Sequence, residues 1–235
     1  PLVHRLPYFP DQIRESLEGT QNLVLAGCVK PVTFFGYPHQ PSHPIPDDCL
    51  VHCLADPTQD VVGALQALAD ELGPSREIRL APLEPPERPT GPLTYTSLGV
   101  AIAATQPEGA VVIDESLTTG RTYLLSSTLC PPHSYLATTG GSIGMGLPCA
   151  TGAAVACPDR PVMALQADGS GMYTVQSLWT QAREGLNVTT VICANRLYRI
   201  LRIEMSRDQL EVGPHATRLT NLGSPAIDWV QLSQG

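Results

Sequence analysis

Residues 162–195 constrain the fold more than any other stretch. Val162 to Ala167 is an apolar run that ends in Asp168-Gly169-Ser170, the pattern of a buried strand. Met172, Val175, Leu178, Trp179 and Ala182 then recur at helical spacing, and Gly185 sits where a C-cap belongs. Val188 to Ala194 is apolar and β-branched, a second buried strand. Strand, helix and strand in this order make a right-handed parallel crossover. Asp168 and Asn195 therefore fall at carboxyl ends of parallel strands, the edge where open α/β sheets bind ligands. A carboxylate and an amide oxygen meeting there are hard ligands, suited to magnesium. Gly169 and Ser170 open the predicted helix, so their backbone donors face an anion beside that metal. The chemistry that follows is a magnesium-bridged diphosphate.

Asp168-Gly169-Ser170, with Asn195 twenty-seven positions after the Asp, resembles the thiamine diphosphate signature Gly-Asp-Gly … Asn-Asn. Asp114-Glu115-Ser116, Thr118-Thr119, Gly140-Gly141-Ser142-Ile143-Gly144 and Tyr173 fall where acetolactate synthase-like and benzoylformate decarboxylase-like enzymes keep cofactor contacts. The resemblance is strong over residues 92–235, weaker over 1–75, and closest to the acetolactate synthase large-subunit group. It implies an α/β fold with a parallel sheet flanked by helices, plus part of a second α/β domain. It also implies that Asp168, Asn195 and the Leu197 carbonyl hold Mg2+. The Gly141 carbonyl would accept a hydrogen bond from the aminopyrimidine, and Ile143 would wedge beneath the cofactor. Ser116, Thr118 and Ser170 would donate to diphosphate oxygens, next to Gly169. Tyr173 would be a further contact, and Tyr198, Ile200 and Leu201 would wall the pyrimidine. Plainer readings stand beside these: helix caps for the hydroxyls, core packing for Ile143 and the tyrosines. Two positions depart from the signature, Ala167 for its first Gly and Ala194 for its first Asn. Ala167 adds a methyl where close backbone approach favours glycine.

The same resemblance implies thiamine diphosphate and Mg2+ as cofactors and a 2-oxo acid such as pyruvate as substrate, decarboxylated and then joined to a second carbonyl. The Glu that activates the cofactor comes from an N-terminal domain, usually of a partner subunit. The active site then lies between subunits of a homodimer or homotetramer, and no catalytic residue is named within this chain. FAD at the middle domain is a possible second cofactor that these residues do not decide. Alternatives are a benzoylformate decarboxylase-like or 2-hydroxyacyl-CoA lyase-like enzyme, or a cofactor-binding homologue without turnover. A nicotinamide dinucleotide site built on Gly141, Gly144 and Gly146 competes too. The glycine order is not G-x-G-x-x-G, and Pro131-Pro132 with Thr138-Thr139 leaves no clear strand before the turn.

The net charge of −8 leaves no basic stripe to neutralise phosphates, which argues against nucleic acid. No apolar run reaches membrane-spanning length, and the start at Pro1 carries no signal-like apolar region, so a cytoplasmic protein is expected. Both ends read as cut, which suggests a piece of a longer polypeptide. Seven scattered cysteines suit a reducing compartment and read as buried thiols. Cys49, His52 and Cys53, with Cys28, His39 and His43, match no common zinc spacing. Asn187-Val188-Thr189 lies at a buried strand start and is discounted as a glycosylation site. His133 is either substrate-facing or a solvated loop residue.

The organisation expected is a partial middle domain over 1–75, a Pro-rich linker over 76–92 and a diphosphate-binding domain over 93–235. Within the first, a helix is expected over 7–19, strands over 23–26 and 50–55, and a further element over 32–35. A helix over 58–72 should turn Val61, Val62, Leu65, Leu68 and Leu72 inward. In the second, a helix over 94–104, a strand over 110–113, an irregular stretch over 124–132, a glycine turn and a helix to Ala156 precede the opening stretch. Helix over 200–210, loop over 213–225 and a terminal helix follow it.

Overall fold

The computed structural model describes residues 5–73 and 82–235. The chain divides into two compact units, Pro1–Ala81 and Pro82–Gly235. Part of the expected linker lies outside the described residues. Residues 82–92 carry no helix or strand and are nearly all exposed. A backbone bond from Glu84 N to Leu129 O at 2.9 Å joins them to the second unit.

The first unit holds α1 (Pro10–Leu17), β1 (Asn22–Ala26), β2 (Leu50–Ala55) and α2 (Val61–Leu72). The two strands pair in parallel, and Asp60 caps α2 by accepting from Gly63 N at 2.9 Å. The expected element over 32–35 does not form. Thr33, Phe34 and Phe35 sit in loop, where Phe34 meets Tyr8 at a tilt and Phe35 meets it edge-on. The apolar stripe of α2 is not inward among the described residues: Val62 is 78% and Leu72 77% exposed. A two-stranded sheet offers too little surface to cover a twelve-residue helix.

The second unit is built on a four-stranded sheet, all parallel, in the order β4-β3-β5-β6. These strands are β3 (Val111–Glu115), β4 (Ser134–Ala137), β5 (Val162–Ala167) and β6 (Val188–Cys193). Successive residues of a strand face opposite sides. Val112, Met163 and Leu165 therefore pack on one face with Ile102, Ala103 and Tyr123 of α3 (Tyr95–Thr105) and α4 (Thr122–Ser126). Val111, Ile113, Val162 and Ala164 pack on the other with Leu147, Ala150 and Ala154 of α5 (Gly146–Ala156). Helix α4 corrects the irregular reading of 124–132. Strand β4 corrects the doubt about a strand before the glycine turn: it is a four-residue edge strand that starts one residue after Pro131-Pro132.

The helix expected after Asp168 is two pieces, α6 (Asp168–Gly171) and α7 (Gln176–Arg183). The break at residues 172–175 resets the helical phase. Met172, Trp179 and Ala182 turn out exposed, while Ser177 and Gln181 are buried. Gln181 Nε2 donates to Leu147 O at 3.3 Å and Thr151 Oγ1 at 3.0 Å, so a polar side chain fills the α5–α7 contact. Gly185, at φ 60°, closes α7 as expected. After β6 come α8 (Arg199–Arg207), α9 (Pro214–Thr220), within the stretch expected to be loop, and α10 (Trp229–Gln234). Among the described residues no helix is long and apolar enough to cross a membrane.

Candidate active site

The strand order places the site. The connection leaving β3 runs one way, to β4, and that leaving β5 runs the other, to β6. The crevice at the carboxyl ends of β3 and β5 is the switch point where open α/β sheets bind ligands. Glu115 and Ser116 end one strand there; Ala167 and Asp168 end the other.

Asp168 is 3% exposed. Its Oδ2 accepts Arg196 N at 2.7 Å and its Oδ1 accepts Gly169 N at 3.0 Å. No basic side chain forms an ion pair with it among the described residues. The Arg196 bond pins the loop after β6 to the carboxylate, bringing Asn195 and Leu197 beside it. Arg196 takes a left-handed φ of 57°, and its carbonyl accepts Leu222 N at 2.8 Å. Asn195 Oδ1 accepts Leu197 N at 2.9 Å, and its Nδ2 donates to Thr119 Oγ1 at 3.0 Å. The Leu197 carbonyl accepts Arg199 N at 2.8 Å and keeps a second lone pair. One buried carboxylate, one amide oxygen and one carbonyl suit a hard cation. No three His, Cys, Asp or Glu side chains cluster to hold a metal among the described residues.

The other expected contacts divide by burial. Ser116 and Ser170 are each 1% exposed. The Ser116 hydroxyl donates to Asp114 Oδ1 at 2.5 Å, and Ser170 Oγ accepts Gln166 Nε2 at 2.6 Å and reaches Ala167 O at 3.2 Å. Thr118 and Ile143 are half-buried, and Gly141 is exposed at φ 64°. Gly169 is buried under Tyr198: an added Cβ would lie 2.5 Å from its ring. Burial raises the Tyr198 phenol above its ordinary value, and neighbouring Tyr173 and Asp168 add to the shift. Tyr173 itself is 60% exposed and backs the glycine turn at Gly144. His133 lies at the amino end of β4, bonded to Pro131 O at 2.9 Å, on the opposite edge of the sheet from the site.

Glu115, grouped by resemblance with Asp114 and Ser116 among the cofactor contacts, faces the interior instead. It is 1% exposed and accepts from Gly144 N at 2.7 Å, Met145 N at 3.2 Å, Gly146 N at 2.8 Å and Gln166 Nε2 at 2.9 Å. The signal for it was a second carboxylate, after Asp114, at the end of the strand begun by the apolar run Val111-Val112-Ile113, where a buried charge needs fixed partners. The α5 N-terminus is thereby occupied from within the chain, which leaves no room for the pyrophosphate of the dinucleotide alternative.

Residues 119–235 match the family model for the thiamine pyrophosphate enzyme C-terminal TPP binding domain. The chain is 46% identical, over its whole length, to 46% of a Mycobacterium tuberculosis protein provisionally named acetolactate synthase large subunit IlvX. It belongs to the thiamine diphosphate-dependent enzyme family. Benzoylformate decarboxylase of Pseudomonas aeruginosa is 31% identical over 75% of this chain and 33% of its own length. The solved thiamine diphosphate-dependent 4-hydroxybenzoylformate decarboxylase of Rhodococcus jostii RHA1 superposes with a TM-score of 0.77 at 27% identity, covering 98% of this chain and 45% of that one. The chain thus spans less than half the length of these relatives.

Within this thiamine diphosphate family fold, the two departures from the signature have simple settings. Ala167 has φ −74° and ψ 148°, extended backbone that any residue adopts. Ala194 is exposed. The cysteines are all free, and Cys28 and Cys53 are exposed rather than buried as expected. Cys193, at the end of β6 behind Asp168, is 2% exposed. Burial first, then Asp114 and Asp168, push its thiol from an ordinary 9.0 up to about 12. The unfolded chain releases this proton near pH 9 and the folded chain near 12, so the folded state binds more protons in between. Its contribution to stability is full below about pH 9 and is lost as pH rises toward 12. Iodoacetamide at pH 8, read by mass spectrometry, should modify Cys28 and Cys53 and spare Cys193; rapid labelling of Cys193 in the folded protein would contradict the burial argument.

Proposed function

We propose that this chain forms the metal- and diphosphate-holding part of a thiamine diphosphate- and Mg2+-dependent enzyme that decarboxylates a 2-oxo acid and ligates the product to a second carbonyl, in the manner of acetolactate synthase. The observation that carries this reading is the buried Asp168, which forms no ion pair among the described residues and is tied to the Asn195–Leu197 loop at the switch point. Asp168, Asn195 and the Leu197 carbonyl hold the metal. Thr118 and the backbone at Gly169 face the diphosphate, with Ser116 and Ser170 shaping its seat from beneath. The Gly141 carbonyl orients the pyrimidine, Ile143 supports the ring from below, and Tyr173 and Tyr198 flank it. When bound, thiamine diphosphate supplies the carbon nucleophile for the keto group of the substrate.

In this reading residues 93–235 are the diphosphate domain, 76–92 a linker and 1–75 part of a middle domain. The assembly is a homodimer or homotetramer whose active site takes its activating Glu from elsewhere in the protein. A decarboxylase acting on benzoylformate-type acids is the second reading, favoured by the 31% identity to a benzoylformate decarboxylase.

Calorimetric titration of thiamine diphosphate, with Mg2+ and then with a chelator, tests the proposal. Saturable binding that disappears with the chelator is the expected result. Absence of binding with Mg2+ present would overturn it. Turnover of pyruvate against benzoylformate by the complete enzyme then separates the two substrate readings.

A further inference from the structure

Helix α5 starts without a cap of its own. Met145 stands at its N-cap position, where it can offer no side-chain acceptor. A helix N-terminus at the carboxyl edge of a parallel sheet ordinarily seats an anion, because free N–H groups and the helix dipole converge there. In this chain the anion comes from Glu115, at the end of β3. One of its oxygens takes Gly144 N and Met145 N; the other takes Gly146 N and Gln166 Nε2. All four partners are donors, so both oxygens of Glu115 act as acceptors. It is 1% exposed, and among the described residues no basic side chain forms an ion pair with it. Its compensation is the helix itself.

We propose that Glu115 is an internal anion that occupies the ligand-phosphate seat of α5 and so acts as a positioning residue for the Gly140–Gly146 turn. Two consequences follow. A ligand diphosphate is excluded from α5 and directed to the Asp168 side of the crevice. Gly141 and Ile143, which make no side-chain hydrogen bonds of their own, are set in place by the fixed amides of Gly144, Met145 and Gly146. The first consequence rests on the function proposed above; the second does not.

Close packing leaves the arrangement little slack. A Cβ on Gly146 would overlap Gln166 Oε1 and lie 2.9 Å from Glu115 Oε2. Thr174 Oγ1 donates to Gly144 O at 2.8 Å, closing the turn from the other side. Loss of the carboxylate alone should therefore leave a gap of carboxylate size rather than a collapsed site.

The test is amide hydrogen exchange of the turn in the cofactor-free protein, for wild type, Glu115→Ala and Glu115→Gln. Both variants should exchange about tenfold or more faster at Gly144, Met145 and Gly146, the scale expected for losing bonds to a charged acceptor. Formate should restore protection in Glu115→Ala, where there is room for it, and not in Glu115→Gln. Chloride at equal ionic strength should do neither. Thiamine diphosphate affinity should fall about tenfold in both variants and recover with formate only in Glu115→Ala. Unchanged exchange in both variants, or equal rescue by chloride, would overturn the proposal. If Glu115→Ala does not fold, the exchange rates of Glu115→Gln decide. If the wild type binds no thiamine diphosphate, the functional reading fails while the exchange result still decides the role of Glu115.

Discussion

Asp168→Ala is expected to abolish Mg2+-dependent thiamine diphosphate binding, weakening it by about 100-fold or more, roughly 2.7 kcal/mol. It removes the one charged member of the proposed ligand set, and two neutral oxygens hold a hydrated Mg2+ poorly. It also acts at a distance. Without Oδ2, Arg196 N loses its acceptor, and the Asn195–Leu197 loop loses the bond that fixes it beside β5. The other two proposed ligands then move with it. The same loss should lower stability by about 1–3 kcal/mol, the cost of leaving buried donors unpaired. Asn195→Ala separates the two effects. Asn195 is exposed, and its partners Thr119 and Leu197 lie at the rim, so binding should weaken with little change in melting. Calorimetry with and without Mg2+, beside thermal unfolding, reads both quantities. An Asp168→Ala protein that binds the cofactor as tightly as wild type would remove the metal site from the proposal.

Strands buried on both faces were the legible part of the chain. Val162–Ala167 stands where its apolar run places it, buried along its whole length between two neighbouring strands. Val188–Cys193 forms a strand as its β-branched run implies, but not the buried one expected: it is the sheet edge, with Thr189 exposed and only Cys193 fully buried. Edge and local features were less legible. Ser134–Ala137 is short, follows two prolines and has no apolar alternation to mark it. The break at 172–175 depends on how the segment after Asp168 passes Tyr198 and the glycine turn, which local spacing does not encode. Helix α7 accordingly buries Ser177 and Gln181 where the periodicity favoured Met172, Trp179 and Ala182. The stripe on α2 was read correctly as apolar, but pattern does not say what covers it.

The candidate site divides in the same way. Asp168 and Asn195 were readable because both terminate strands of one crossover, so topology alone brings them to one edge. Ser116 and Ser170 were readable as residues near that edge, but whether their hydroxyls face a ligand or the interior is a matter of rotamer and neighbour. The bonds to Asp114 and Gln166 decide that. Glu115 was hidden for another reason: its partners lie twenty-nine or more positions away, at the start of a helix whose own sequence offers no cap. Only the pairing of β3 with β5, and α5 packing across both, brings the carboxylate to those amides.

Gly99→Val is expected to cost the second unit about 3 kcal/mol, the upper end for overpacking a well-filled core. Gly99 lies in α3, where that helix crosses the start of α4. A Cβ there would lie 2.6 Å from Tyr123 N and 2.7 Å from the Thr122 carbonyl carbon, and would overlap Thr122 Oγ1. Two of these obstacles are backbone, so no rotamer change relieves them and one helix must move. Thr122 Oγ1 donates to Tyr95 O at 2.9 Å, which ties the two helices at the point of the clash. Tyr123 is fully buried against β3 and β5, and its hydroxyl bonds to Gln106 Oε1. Shifting α4 would strain both bonds and open the core beneath them. At about 2–4 °C per kcal/mol for a domain of this size, melting should fall by about 6–12 °C. Gly152→Ala, on the exposed side of α5 with nothing within 4 Å, is the matched control. It meets no neighbour and should stabilise its helix by about 0.5–1 kcal/mol. Equal melting of the two variants would mean that α3 and α4 are not packed as closely as these contacts require.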